Sequence, residues 1–220
     1  MSDPTGGWAD ATGKASEAVT EVTKAGRDLG GFLAPPLREL VGIVTDQSQV
    51  WRWKRQIRLA EQVGSILKER GLDKATRQVA PSFLVPLIEE ASLQDDDDLQ
   101  DIWARMLANA ADAGSETEMR TAFIRMLAEM TSFDVQLLAK IAEATPNRAG
   151  QVWTVNLPDR AETPREGDQA LMPRGDVEIA LVNLCRLGCL QPASALGGVM
   201  VYGIVQVTGL GRAFIKACTG

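Results

Sequence analysis

The sequence predicts a mainly α fold, a helical bundle followed by a small winged-helix-like α+β unit at the C-terminus. Three observations carry that prediction. Apolar residues recur at helical spacing through Leu99, Ile102, Trp103, Met106, Leu107 and Ala110. The same template repeats from Met119 to Met130. Near the end, one helical pattern is followed by two β-rich runs around Gly197-Gly198 and then by another helix. The expected organisation is an N-terminal amphipathic or mobile segment over 1–48 and a bundle over 49–145. A linker or long loop over 146–175 and the winged-helix-like unit over 176–220 complete it.

Each element has its own justification. Thr12–Leu29 has a weak apolar side through Ala15, Val19, Val22 and Gly26, suited to a marginal helix or an arm. Pro35-Pro36 forces a break before Leu37–Val44, a short helix carrying Leu37, Leu40, Val41 and Val44. Gln49–Arg70 reads as one long helix with the stripe Ile57, Ala60, Val63, Ile66 and Leu67, stopped by Gly71. Pro81 and Pro86 bracket SFLVP ahead of Leu87–Ala91. Asp97 with Gln100 resembles a capping box, and acidic residues suit the positive end of the helix dipole. Met119, Ala122, Phe123, Met126, Leu127 and Met130 give the next helix. Ser132 then caps a helix using Val135, Leu138 and Ile141.

Thr145–Gly175 changes character, with Pro146, Pro158, Pro164 and Pro173 among polar residues and only VWTVNL resembling a strand. Asp176 caps a helix through Val177, Ala180, Leu181, Leu184 and Leu187, ending at Gly188. Cys189-Leu190 and Met200–Val207 read as strands, and Thr208 caps a last helix through Leu210, Ala213, Phe214 and Ala217.

Composition narrows the chemistry. The 220 residues are 45% hydrophobic and 24% charged, as in a globular chain of one large or two small domains. A net charge of −6 argues against nonspecific nucleic-acid binding by the whole surface, while a local basic patch stays open. With no histidine, the usual general base and the commonest metal ligand are gone. Cys185, Cys189 and Cys218 make an odd count, and MSDPTGGWADATGK has no apolar signal core. The expectation is a cytoplasmic protein with reduced thiols. Leu29–Val44 is too short to span a bilayer and is broken by Arg38, Glu39 and the Pro pair.

Two motifs invite a functional reading. Asp95, Asp96, Asp97 and Asp98 form a carboxylate run, but a Ca²⁺ loop alternates its ligands and needs a glycine turn and a distal Glu. The plain reading is a solvated helix start, and the functional one is a docking surface for a basic partner. Trp51, Arg52, Trp53, Lys54, Arg55 and Arg58 form a basic-aromatic cluster suited to a membrane interface or single-stranded nucleic acid. The plain reading packs one Trp inward and leaves the cations in water.

The remaining signals are bland. Cys185 and Cys189 suit burial better than a metal site, and Gly209-Leu210-Gly211 lacks a phosphate-loop context. No catalytic, cofactor or metal constellation is expected, so the reading is non-enzymatic. Residues 146–220 hold seven basic and six acidic residues, and the helix from Asp176 to Leu187 has only Arg186 as a cation. A protein-contacting or structural winged helix is therefore favoured over a DNA reader.

LxxPLRELVGIVTD, WRWKRQIRLAEQVGSILKERG, FLVPLIEEASLQDDDDLQDIWARMLANA, LVNLCRLGCL and VTGLGRAFIKAC occur in that order. Together they resemble the abortive infection alpha family of bacterial phage-defence proteins, from about Gly30 to Cys218. The resemblance implies an intracellular role in which infection triggers growth arrest or death before phage release, and it carries over no catalytic residue. The alanine- and glycine-rich hairpin Pro192–Gly198 departs from a usual tail.

The expected partner is a protein or a phage component. The inner face of the membrane, reached through the N-terminal segment, is a second, and self-association into a homo-oligomer is compatible with the sequence. The alternative is a winged-helix regulator binding the DNA of a defence operon. A carboxylate-dependent nuclease using Glu89, Glu90 and Asp95–Asp98 is least favoured, because no paired lysine accompanies them.

Overall fold

Helices dominate the computed structural model, which describes residues 47–144, 150–164, 173, 175–196 and 199–219. The helices expected over Thr12–Leu29 and Leu37–Val44, and the Gly197-Gly198 tip, lie outside the described residues. In chain order the elements are α1 (Gln47–Glu69), α2 (Pro81–Leu93), α3 (Asp97–Ala111), α4 (Thr121–Ala128), α5 (Ser132–Ala144), β1 (Gln151–Trp153), α6 (Asp176–Arg186), β2 (Leu190–Leu196), β3 (Val199–Val207) and α7 (Gly209–Thr219). The fold is mainly α with one small antiparallel sheet, as the periodicities predict. By packing, the chain divides into two units at Glu116/Thr117.

In the first unit α1, α2 and α3 pack on one another. Helix α1 ends in a Schellman motif: Gly71 N–H donates to the Lys68 carbonyl at 2.9 Å and Leu72 N–H to that of Leu67 at 2.9 Å, with Gly71 at φ 76°. Its buried stripe is Trp53, Gln56, Ala60, Val63 and Leu67, joined by Leu59. This corrects the stripe read from the sequence, because Ile57 and Ile66 are only half-buried. A polar Gln56 inside the inward face disguises the true phase.

Helix α2 also differs from expectation. Pro81 occupies the first turn, where its missing N–H costs nothing, and Pro86 lies inside one continuous helix instead of bounding a separate segment. Phe83, Leu84, Leu87, Ile88 and Ala91 face inward. Helix α3 is the centre of this unit. Trp103, Met106 and Leu107 are fully buried, and burying each stabilises the fold by roughly 1.5–3 kcal/mol. Ile102, expected in the stripe, is half-buried.

The second unit holds the sheet, ordered β1-β3-β2 and antiparallel throughout, with Gln151 opposite Gln206 and Leu190 opposite Val207. Central β3 alternates, burying Gly203, Val205 and Val207. Pro192 is tolerated because β2 is an edge strand, and the register shifts between Pro192 and Ser194. Of VWTVNL only Val152 and Trp153 are strand, within β1; Thr154 then turns inward, its hydroxyl donating to the Tyr202 carbonyl at 2.7 Å.

Several caps fall one residue from where the sequence places them. Thr131, not Ser132, caps α5 in a reciprocal box. Asp134 Oδ2 accepts from Thr131 N at 2.8 Å, and Thr131 Oγ1 accepts from Asp134 N at 3.2 Å. Gly175, at φ 65°, precedes α6 in place of an Asp176 cap. Thr208 caps α7 as expected, its Oγ1 accepting from Gly211 N at 2.8 Å. Helix α4 starts after Met119, exposes Ala122 and buries Ile124, which the sequence stripe omitted. Phe123 of α4 meets Phe214 of α7 edge to face, with centroids 5.9 Å apart.

Candidate functional site

The two charged motifs of the sequence are each other's partners. Asp96 is the N-cap of α3, its Oδ1 accepting from Asp98 N at 2.9 Å and Leu99 N at 3.1 Å. That places Asp97 at the first helical position, facing α1. Arg55 Nη1 bonds Asp97 Oδ1 and donates to Gln100 Oε1 at 3.0 Å, while Nη2 donates to the Asp95 carbonyl at 2.5 Å. Arg58 reaches Asp97 Oδ2 at 3.1 Å and Asp101 Oδ1 at 3.5 Å, and Gln62 donates to Asp101. Residues 55, 58 and 62 share one face of α1, so the seam follows helical spacing on both sides.

Gln100 is the residue that sequence reasoning missed. It is wholly buried, and its Nε2 donates to the Arg55 carbonyl at 3.1 Å and to the Ala91 carbonyl at 3.4 Å. One amide thus joins α1, α2 and α3. The available signal was a glutamine beside Leu99 and three residues before Trp103, inside an apolar stripe. Its place three residues after Asp97 also fits a capping box, which hides that role.

The hydrogen bond from Arg55 holds the Asp97 carboxyl below its ordinary value of 3.8. Partial desolvation and Asp96 oppose this, while the charges of Arg58 and Arg55 reinforce it. A carboxyl depressed in the folded state contributes stability that is present above its unfolded value and is lost as pH falls through the folded one. Asp97→Asn is therefore expected to lower the urea midpoint near pH 7 and to match wild type near pH 2, and paired denaturation curves check this. Asp97 and Arg58 are exposed while Arg55 is mostly covered, so part of the effect also shrinks with added salt.

The rest of the cluster divides cleanly. Trp53 is buried; Trp51 is exposed, with the Arg55 guanidinium 5.4 Å from its ring centroid. Arg52 and Lys54 are exposed, as are Asp95 and Asp98. The seam's cations are matched on the spot by its carboxylates, which weakens the positive field that phosphates or an anionic bilayer would need.

A second surface lies in the unit with the sheet. Val177, Ala180, Leu181 and Leu184 turn α6 inward, leaving Ile179 69% and Val182 41% exposed on its outer side. Arg186 closes that side, paired with Glu129 at 2.6 Å and with Asn183 Oδ1 at 2.8 Å. Asn183 in turn donates to the Glu129 carbonyl at 3.0 Å, fixing α6 against the α4–α5 corner. Leu210, 40% exposed, flanks the end of α6, its Cδ2 lying 3.2 Å from where a Cβ on Gly188 would sit. Ile179 and Val182 fall off the buried stripe, a surplus of apolar residues that is legible in the sequence.

A family model for abortive infection alpha matches residues 54–218 of the 220. The chain belongs to that family. The matched span of this abortive infection alpha protein contains Arg55, Asp97, Gln100 and all of α6, whereas Trp51, Arg52 and Trp53 precede it. Membership ties the protein to abortive infection, a bacterial defence against phage. No curated protein matches the chain, and no solved structure does.

The thiols of this abortive infection alpha protein are held in the unreactive form. Burial pushes Cys185 up to about 11 and Cys189 up to about 12, with neighbouring Cys185 adding to the latter, and raises Cys218 further. Nucleophilic chemistry needs the thiolate, which these sites disfavour at neutral pH. Among the described residues no three His, Cys, Asp or Glu side chains are grouped to hold a metal ion, and no helix is long and apolar enough to cross a membrane.

Proposed function

We propose that this abortive infection alpha protein serves phage defence as a binding protein whose contact surface is the outer side of α6. The observation that carries this reading is the exposure of Ile179 and Val182 on that helix. A winged-helix DNA reader would use a helix in this place, ahead of the β2–β3 hairpin, to present Lys and Arg to phosphates and polar side chains to base edges. Here the outer side is apolar, the first turn carries Asp176 and Glu178, and Arg186 is the helix's single basic residue. That pattern suits a protein surface better than a nucleic acid.

A bacterial host challenged with a phage panel tests the reading. Wild type is expected to lower plaque counts, and the Ile179→Asp, Val182→Asp double variant to lose that protection at equal abundance. Protection unchanged in the double variant would count against α6. Salt-dependent retention of the wild type on duplex DNA would favour the regulator instead. Vesicle binding abolished by Trp51→Ala would move the contact to α1.

A further inference from the structure

We infer that the occupant of the α6 surface is α6 of a second copy of this chain, lying antiparallel about a two-fold axis. The inference rests on the binding reading above and names its partner. Three features of the helix support it.

First, Ile179, Val182 and Arg186 recur at spacings of three and four, which places them in one outward line on the helix. Second, the line is charged at both ends and apolar between. The first turn is acidic through Asp176 and Glu178, and the last turn is basic through Arg186. Laid antiparallel on itself, the helix sets Ile179 against Val182 of the other copy and Asp176 against Arg186. A two-fold axis makes each of these contacts twice. A parallel arrangement would instead set acid against acid, and the antiparallel one also opposes the two helix dipoles favourably.

Third, Arg186 remains accessible for the task. Its side chain is 56% exposed, and its contacts with Asn183 and Glu129 use Nε and Nη2. Leu210 widens the apolar line where α6 ends. An anionic bilayer or a nucleic acid would meet the acidic first turn unfavourably, whereas a second copy satisfies both ends. A contact of one helix and its flank belongs to the small size class, below ~1,200 Å², of weak and reversible association.

Sedimentation velocity on the full chain, over about 1–200 µM, tests this. Wild type is expected to pass from monomer to dimer with concentration, and Ile179→Asp to raise the dissociation constant at least about tenfold. Asp176→Arg and Arg186→Asp are each expected to weaken the dimer alone. Mixing the two variants in equal amounts restores it, because the mixed dimer pairs opposite charges at both contacts. Circular dichroism on each variant confirms that the helices persist.

A wild type that stays monomeric throughout overturns the inference. So does a dimer indifferent to Ile179→Asp, or charge variants that fail to recover on mixing. If the wild type is monomeric while Ile179→Asp still abolishes phage protection, the second copy falls and the binding reading stands.

Discussion

Gly211→Ala is expected to destabilise the unit holding the sheet by about 3 kcal/mol. An added Cβ would sit 2.1 Å from the Cys189 carbonyl oxygen and within 3 Å of that residue's carbonyl carbon and Cα. These are backbone atoms, so no rotamer change relieves the clash. The backbone there is also pinned. Cys189 N–H donates to the Leu184 carbonyl at 2.9 Å in the Schellman turn that ends α6, and the Cys189 carbonyl accepts from Thr208 N at 3.0 Å. Glycine at 211 lets the start of α7 lie directly on the chain entering β2. Gly209, two residues earlier, has nothing within 4 Å of its own added Cβ. Gly209→Ala should therefore leave the unfolding free energy within about 0.5 kcal/mol of wild type, while Gly211→Ala lowers the urea midpoint steeply. Equal effects at the two glycines would refute the close approach.

Gln100→Met should cost the three-helix unit about 2–4 kcal/mol with little change in volume. The substitution keeps the packing beside Leu99 and Trp103 but removes the amide. The Arg55 carbonyl then loses its Gln100 donor, the Ala91 carbonyl keeps only a 3.4 Å bond from Gln94, and the Arg55 guanidinium loses one acceptor inside the seam. Each lost hydrogen bond contributes roughly 0.5–1.5 kcal/mol, and the one to the charged guanidinium more. Chemical unfolding measures the loss. A near-neutral result would mean that water replaces the amide and that Gln100 is not the junction of the three helices.

Some of this was legible in the sequence for simple physical reasons. The stripe from Leu99 to Ala110, the glycine stops at Gly71 and Gly188, and the Thr208 cap all rest on local geometry, which a single chain segment determines. Other features needed tertiary contact. Gln56, polar yet buried, hides the inward phase of α1, and Pro86 reads as a boundary although α2 continues through it. Asp95–Asp98 and the Trp51–Arg58 cluster were each visible as motifs. Their pairing across about forty residues of chain was not, because no local rule links an arginine on one helix to the first turn of another. That pairing changes what the motifs mean: much of their charge holds the protein together. The contact surface proposed above rests instead on Ile179 and Val182, exposed apolar residues that no catalytic motif announces.

Plaque counts on a bacterial host test most directly whether the protein acts through α6 and not through its charged run. Three versions are compared at matched abundance: wild type, Ile179→Asp, and the Asp95→Asn, Asp98→Asn double variant, whose side chains are exposed. Ile179→Asp is expected to bring plaque counts back to those of a host without the protein, while the double variant protects as wild type does. Protection that survives Ile179→Asp and disappears in the double variant would contradict this and return the function to the carboxylates.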